Sequence, residues 1–179
     1  MPDHPYPKYL EELCTLPDGR VVCLRPIRPE DEPEHYDLLA KSSPTDRRFR
    51  FFASVNTISK DAMDRFTHID YDREMAFIAC SETASGGHET LGVVRTIADD
   101  SGREAEFAII IRSDLKHQGL GHALTRKVIR YCNERGILRL LGQVMADNKR
   151  MLDFIRKEGF KVTMNLEEKV YDITLDLQP

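Results

Sequence analysis

The stretch DLKHQGLGHAL, residues 114–124, places Gly119 and Gly121 two positions apart, where an apolar strand gives way to a helix. Each glycine costs a helix interior about 1 kcal/mol relative to alanine, so something must offset the pair. A glycine-rich turn between a strand and a helix suits an anion. The first N–H groups of a helix have no partner within it, and the helix dipole adds partial positive charge there. Glycine at 119 and 121 removes two Cβ atoms and lets a phosphate approach the backbone. Lys116 on the lip of the turn adds a full charge, and His117 and His122 can add donors. Two common phosphate motifs are excluded: no GxxxxGK[ST] is present, and the third glycine of GxGxxG is replaced by Leu124.

The flanking elements decide where such a turn sits. EAEFAIIIR (104–112) is an expected strand leading into it. The following helix runs to about Arg135, with Leu120, Leu124, Val128 and Tyr131 on one face, and Gly136 ends it. Upstream, VVCLRPI (21–27) reads as a strand, 28–43 as a helix with acids in its first turn, and 59–69 as a helix capped by Ser59. EMAFIAC (74–80) and LGVVRTIA (91–98) flank a Gly86-Gly87 turn and should pair antiparallel. Downstream come a strand (138–145), a helix capped by Asn148 and stopped by Gly159, and two short strands (161–166 and 169–177). This order predicts an α+β fold around one mixed, mostly antiparallel sheet of about six to seven strands, flanked by about four helices. Residues 1–19 are expected to be an extended lead-in, and 20–179 a single domain.

Bulk properties narrow the function classes. The net charge of −4 and the lack of one long basic stripe argue against nucleic acid as the main partner. No run approaches the ~20 apolar residues of a membrane span, and the N-terminus lacks the basic and apolar regions of a signal peptide. The expected compartment is therefore cytoplasmic, with no membrane partner. Cys14, Cys23, Cys80 and Cys132 form no CxxC pair and have no metal-ligand spacing, so reduced thiols and no metal site are expected.

The segment EFAIIIRSDLKHQGLGHALTRKVIRYCNERG resembles the acetyl-CoA-binding motif of the GNAT N-acetyltransferases, in which a central strand runs into [Q/R]-x-x-G-x-[G/A]. Here that motif reads Lys116-His117-Gln118-Gly119-Leu120-Gly121, with Lys replacing the common Gln or Arg. ADNKRMLDFIRKEGF (146–160) resembles the family's second motif, and the element order from 20 to 177 matches as well. LPDGRVVCLRPIRPEDEPEH, RRFRFF and AIIIRSDLKHQGLG are similar to the C-terminal acetyltransferase domain of bacterial Pat-type protein lysine acetyltransferases.

The resemblance implies a GNAT-like fold with a splayed sheet, and acetyl-CoA as cosubstrate. It places the pyrophosphate on the amides of His117 to His122, the pantetheine arm along Ile109, Ile110 and Ile111, and Asn148 in contact with CoA as well as at its helix cap. Acetyl would pass directly from the thioester to a primary amine. The foremost acceptor is a protein lysine, such as one on an acyl-CoA synthetase. A lysine ε-amine is almost wholly protonated near pH 7, and generating its neutral form costs roughly 4–5 kcal/mol. A carboxylate base offsets part of that cost. Glu106 lies at the spacing the family often uses for its catalytic Glu, with Glu104 in reserve two residues away on the same strand face. A backbone N–H near Ile110 or Ile111 would stabilise the oxyanion. Many GNATs carry a Tyr as general acid on the helix after Asn148; the matching position here is Ile155, beside Phe154. Phe49 and Phe52 of RRFRFF are expected in the core, with Arg47, Arg48 and Arg50 lining the acceptor side or pairing with the acidic helix. Two further readings stand beside this one: a small-molecule amine acetyltransferase on the same fold, and a non-catalytic CoA-sensing regulatory domain.

Overall fold

The computed structural model describes residues 4–178. Its centre is one sheet of eight strands, in the order β1-β2-β3-β4-β5-β6-β8-β7. The strands are β1 (Glu12–Thr15), β2 (Val21–Pro26), β3 (Glu74–Glu82), β4 (His88–Ala98), β5 (Glu104–Ile111), β6 (Arg139–Met145), β7 (Lys161–Asn165) and β8 (Val170–Asp176). The helices are α1 (Glu32–Lys41), α2 (Pro44–Phe51), α3 (Lys60–Thr67), α4 (Leu120–Glu134) and α5 (Lys149–Lys157). One strand and one helix exceed the sequence expectation. The strand is β1, which lies in the expected lead-in and pairs antiparallel with β2. The helix is α2, which takes up most of RRFRFF. Ser43 caps it by accepting from the Asp46 N–H, and Pro44 occupies its first turn.

The β5–β6 pair is parallel; every other neighbouring pair is antiparallel. Its register holds for three residues, Glu104↔Arg139, Ala105↔Leu140 and Glu106↔Leu141, and then stops. β5 continues to Ile111 and β6 to Met145, so the sheet opens between them. Gly142 marks the fork: a Cβ there would lie 3.0 Å from the Phe107 carbonyl oxygen.

Strand alternation sorts the two faces of β5. Phe107, Ile109 and Ile111 share the face of their β4 partners Thr96, Val94 and Gly92, over which α4 packs. Glu106, Ala108 and Ile110 point to the opposite face, where Arg95, the β4 partner of Ala108, reaches the Phe66 carbonyl of α3. The glycine turn and Glu106 are thus at opposite ends of one strand.

On the α1 side His35 is buried, and its Nδ1 has no hydrogen-bond partner. Burial pushes its pKa down to about 3, with the Arg95 and Arg50 charges adding to the effect and Asp31 opposing it. His35 is therefore neutral in the folded chain, whereas the unfolded chain takes up a proton near the usual value of about 6.5. Between those values the unfolded state binds more protons, so stability falls with falling pH by up to about 1.4 kcal/mol per unit. Denaturant titrations between pH 7 and pH 5 should show this decline, and His35→Leu should flatten it. An equal slope in the variant would assign the decline to other groups.

Candidate active site

Where β5 and β6 part, a cleft of about 600 Å³ opens, closed on its sides by α2, α4 and α5. Its backbone edge follows from ladder geometry. The Arg112 N–H donates to Leu91 and the Glu104 carbonyl accepts from Asp99, so the even-numbered residues of β5 bond to β4. The odd-numbered ones face β6, and the Arg103 carbonyl accepts from Leu138 and Arg139. Past the fork, the N–H groups of Ile109 and Ile111 therefore point into the cleft, while that of Ile110 is turned to β4. All three isoleucines line the cleft, but the two odd ones offer backbone donors to it.

The two glycines of the turn have different reasons. Gly119 is the N-cap of α4 with φ +88°, and a Cβ on it would lie 2.8 Å from Pro17 Cδ. It does not line the cleft; a left-handed backbone packed on a proline ring is what requires glycine there. Gly121 does line the cleft, and a Cβ there would sit 3.2 Å from the Phe154 ring. Gly119→Ala should therefore cost stability, by at least about 1–2 kcal/mol from the backbone strain alone. Chemical denaturation checks this. A loss below a few tenths of a kcal/mol would show that the turn tolerates a side chain.

The other residues of the turn separate in the same way. His117 lines the cleft with φ +66°, beside Lys116. Lys116 is not free: its Nζ lies 2.5 Å from Asp46 Oδ1, and Asp46 Oδ2 accepts from Ser113 Oγ at 2.5 Å. Burial alone would raise the pKa of Asp46, but the Lys116 and Ser113 hydrogen bonds outweigh it and hold the carboxyl below its usual range. Gln118 turns away and accepts from Arg20. Leu120 is core, and His122 Nδ1 lies 2.7 Å from Glu158 Oε1. With Gly119 as its N-cap, α4 has no capping side chain, so its first amides are left to whatever enters the cleft. Asn148 caps α5 by accepting from the Met151 N–H, and it also lines the cleft.

Glu106 lines the other end of the cleft and, among the described residues, accepts no side-chain hydrogen bond and forms no ion pair. Glu104 does not line it and instead lies 3.6 Å from Arg139. Phe49, Phe51 and Phe52 of α2 and its C-cap form an aromatic wall of the same cleft. This corrects the expected core positions. Phe51 packs against the core and Phe66, whereas Phe49 is half-buried and Phe52 is 43% exposed at the left-handed end of the helix. Ile155, where a general acid would stand, is fully buried, and Phe154 is the ring beside Gly121.

Sequence reasoning expected the arginines of RRFRFF on the acceptor side, and Arg50 does line the cleft, but it missed the helix that carries them and the parts played by Asp46 and Gly142. Ser43-Pro44-x-Asp46 was the available helix signal; the Asp46–Lys116 bond, 70 residues apart, had none. Asp31, Glu34 and His88 also gather elsewhere, within 4.8 Å, but Arg25 already holds Asp31 at 2.6 and 2.8 Å and supplies the positive charge there.

Comparison with known proteins gives the family and agrees with the fold. A family model described as an acetyltransferase (GNAT) domain matches residues 22–161, and the chain belongs to that family. A curated protein of Pseudomonas aeruginosa, named an acetyltransferase, is 31% identical over 146 residues, covering 82% of this chain and 78% of the relative. The crystal structure of the GNAT domain of S. lividans PAT superposes with a TM-score of 0.87 at 26% identity, covering 97% of this chain and 100% of that one. Spermidine N-acetyltransferase from Vibrio cholerae, in complex with CoA and spermine, shares the fold with a TM-score of 0.68 at 20% identity, covering 87% of this chain and 95% of that one. The chain is thus a GNAT acetyltransferase, an enzyme that passes acetyl to an amine. No helix among the described residues is long and apolar enough to cross a membrane.

Proposed function

We propose that the chain transfers acetyl from acetyl-CoA to the ε-amine of a protein lysine. The observation that carries this reading is one cleft lined by Phe49, Phe51 and Phe52 together with an unbonded Glu106. An aromatic channel suits the four-methylene stem of lysine, whose charge stays at its tip. The likeness to the GNAT domain of S. lividans PAT over the whole of that domain supports the same reading.

The cosubstrate fits the other half of the cleft. The pantetheine arm would bond to the free edge of β5 at Ile109 and Ile111, as an added strand does. The first amides of α4 around Gly121, with His117 and Lys116 on the lip, would hold the pyrophosphate. Asn148 would close the far side. Glu106, directly or through one water, would take the proton from the acceptor ammonium. The amine nitrogen then attacks the thioester carbon. The oxyanion accepts from the Ile109 or Ile111 N–H, and the carbon–sulfur bond breaks as the amide forms. Among the described residues lining the cleft there is no Tyr, Ser, Thr or Cys to protonate the sulfur. A thiolate is a weaker base than an amine by about two pKa units, so it can leave as such, while the tetrahedral nitrogen gives up its second proton to water or, through water, to the departing sulfur as the amide forms.

The test is turnover of acetyl-CoA with lysine peptides beside a panel of polyamines and aminoglycosides. Peptide acetylation with little turnover of the panel is the expected result. The reverse would move the enzyme to the small-molecule class.

A further inference from the structure

Resting on the lysine reading, we propose that Arg50 selects the acceptor, so that the cleft favours an amine with a carboxylate close beside it: on a protein, a lysine flanked by Asp or Glu. Three arginines stand in α2 with different fates. Arg47 is spent on structure, donating to the carbonyls of Leu39, Ser42 and Val55 at 2.8–3.0 Å. Arg48 pairs with Asp147 at 2.7 Å. Arg50 lines the cleft and, among the described residues, has neither a hydrogen-bond partner nor a paired carboxylate. Its guanidinium lies 5.0 Å from the centre of the Phe51 ring.

The surroundings make this isolation costly. Burial pushes the Arg50 pKa down to about 10, the nearby Arg95 charge adds to the effect, and only Glu106 opposes it. Arg95 already has its carboxylate, Glu74 at 2.5 Å, and reaches the Phe66 carbonyl at 2.8 Å, though its buried Nε is unpaired. A half-buried cation with no partner is retained against its desolvation cost. On α2 it is Asp46, one turn earlier, that reaches the glycine turn through Lys116, whereas Arg50 feels the charge of Glu106 at the other end of the cleft. What remains is the acceptor. With Asp46 already neutralised by Lys116, Glu106 and Arg50 are the charges an entering ammonium meets at this end. A second ammonium, as in a polyamine, would be repelled. A carboxylate next to the amine would give Arg50 its missing bidentate partner and leave Glu106 free to take the proton.

The experiment measures kcat/KM of the full chain with acetyl-CoA on matched acceptors. One pair is a lysine peptide with Asp or Asn beside the lysine. The other is Nα-acetyllysine, with its free carboxylate, against Nα-acetyllysine amide. The acidic member of each pair should be favoured by about tenfold. Arg50→Gln should bring both ratios near one and raise turnover of spermidine, and Arg50→Lys should keep part of the preference. Ratios within twofold for the unaltered chain overturn the proposal, as do ratios unchanged in Arg50→Gln or a complete lack of turnover on both pairs. Because the ratios of the unaltered chain decide the matter, a variant that fails to fold leaves the test intact. Turnover of the small pair without the peptides would refute the protein-lysine reading and leave the selection by Arg50 standing.

Discussion

Replacing Glu106 by Gln should lower kcat/KM on a lysine peptide by about 10²–10⁴-fold near pH 7, the range spanned by a positioned general base. The affinity for acetyl-CoA should stay within a few-fold, because Glu106 lies at the fork and the proposed cosubstrate groove lies beyond it. The substitution keeps shape and removes the ability to accept a proton. The other carboxylates nearby are placed differently: Glu104 is held by Arg139 outside the cleft, Asp46 is committed to Lys116 and Ser113, and Asp153 stands exposed on α5 beside Arg156. The deficit should shrink as pH rises towards about 10, where the lysine supplies its own neutral form. A pH profile of both proteins tests this directly. A variant within threefold of the unaltered enzyme would remove Glu106 from the proton path. A deficit constant from pH 7 to pH 10 would make it a group that only orients the acceptor.

The second large effect concerns Gly121. Gly121→Val should weaken acetyl-CoA binding by about 10²-fold or more, the equivalent of two charge-assisted hydrogen bonds lost at about 1.5 kcal/mol each. A Cβ at this position already lies 3.2 Å from Phe154, so the branches must project into the cleft or push the ring into it. Either way the amides at the start of α4 are screened from a phosphate. Calorimetric titration measures the loss, and Gly119→Ala is the informative control. That variant should lose stability with a smaller change in affinity, since its clash is with Pro17 and not with the cleft. Equal loss of affinity in both would mean that the turn responds as one unit. Unchanged affinity in Gly121→Val would take the pyrophosphate away from this helix end.

Much of this was legible in the chain itself. Strand alternation and the punctuation by Gly86-Gly87, Gly136 and Gly159 located most elements to within a few residues, because local backbone preferences set them. The glycine turn was legible as a candidate anion site from its place between a strand and a helix. What local rules could not supply was the division of labour within it. Gly119 answers to Pro17, about a hundred residues earlier in the chain, and Lys116 answers to Asp46. Such partners meet only once the sheet has formed. The aromatic run was misjudged for a related reason. Phe49 and Phe52 look like core by type, but α2 turns them to the edge of a cleft that does not exist in sequence. The fork has a single local sign, Gly142, and one glycine within an apolar strand is weak notice that two strands are about to part.

The placement of α2 has a consequence for how such an enzyme can diverge. The proposed acceptor wall is mainly a helix of eight residues, fastened by Asp46 to the glycine turn and by Arg48 to the loop before α5. The proposed cosubstrate groove is built from β5, β6, α4 and α5, and α2 meets it through the Asp46–Lys116 pair. Change confined to the free faces of those eight residues can therefore alter which amine is accepted while leaving the acyl donor and its chemistry untouched. A lineage can explore new acceptors by drift in one short segment, and an engineer can do the same by transplanting it, provided the two fastening residues travel with it.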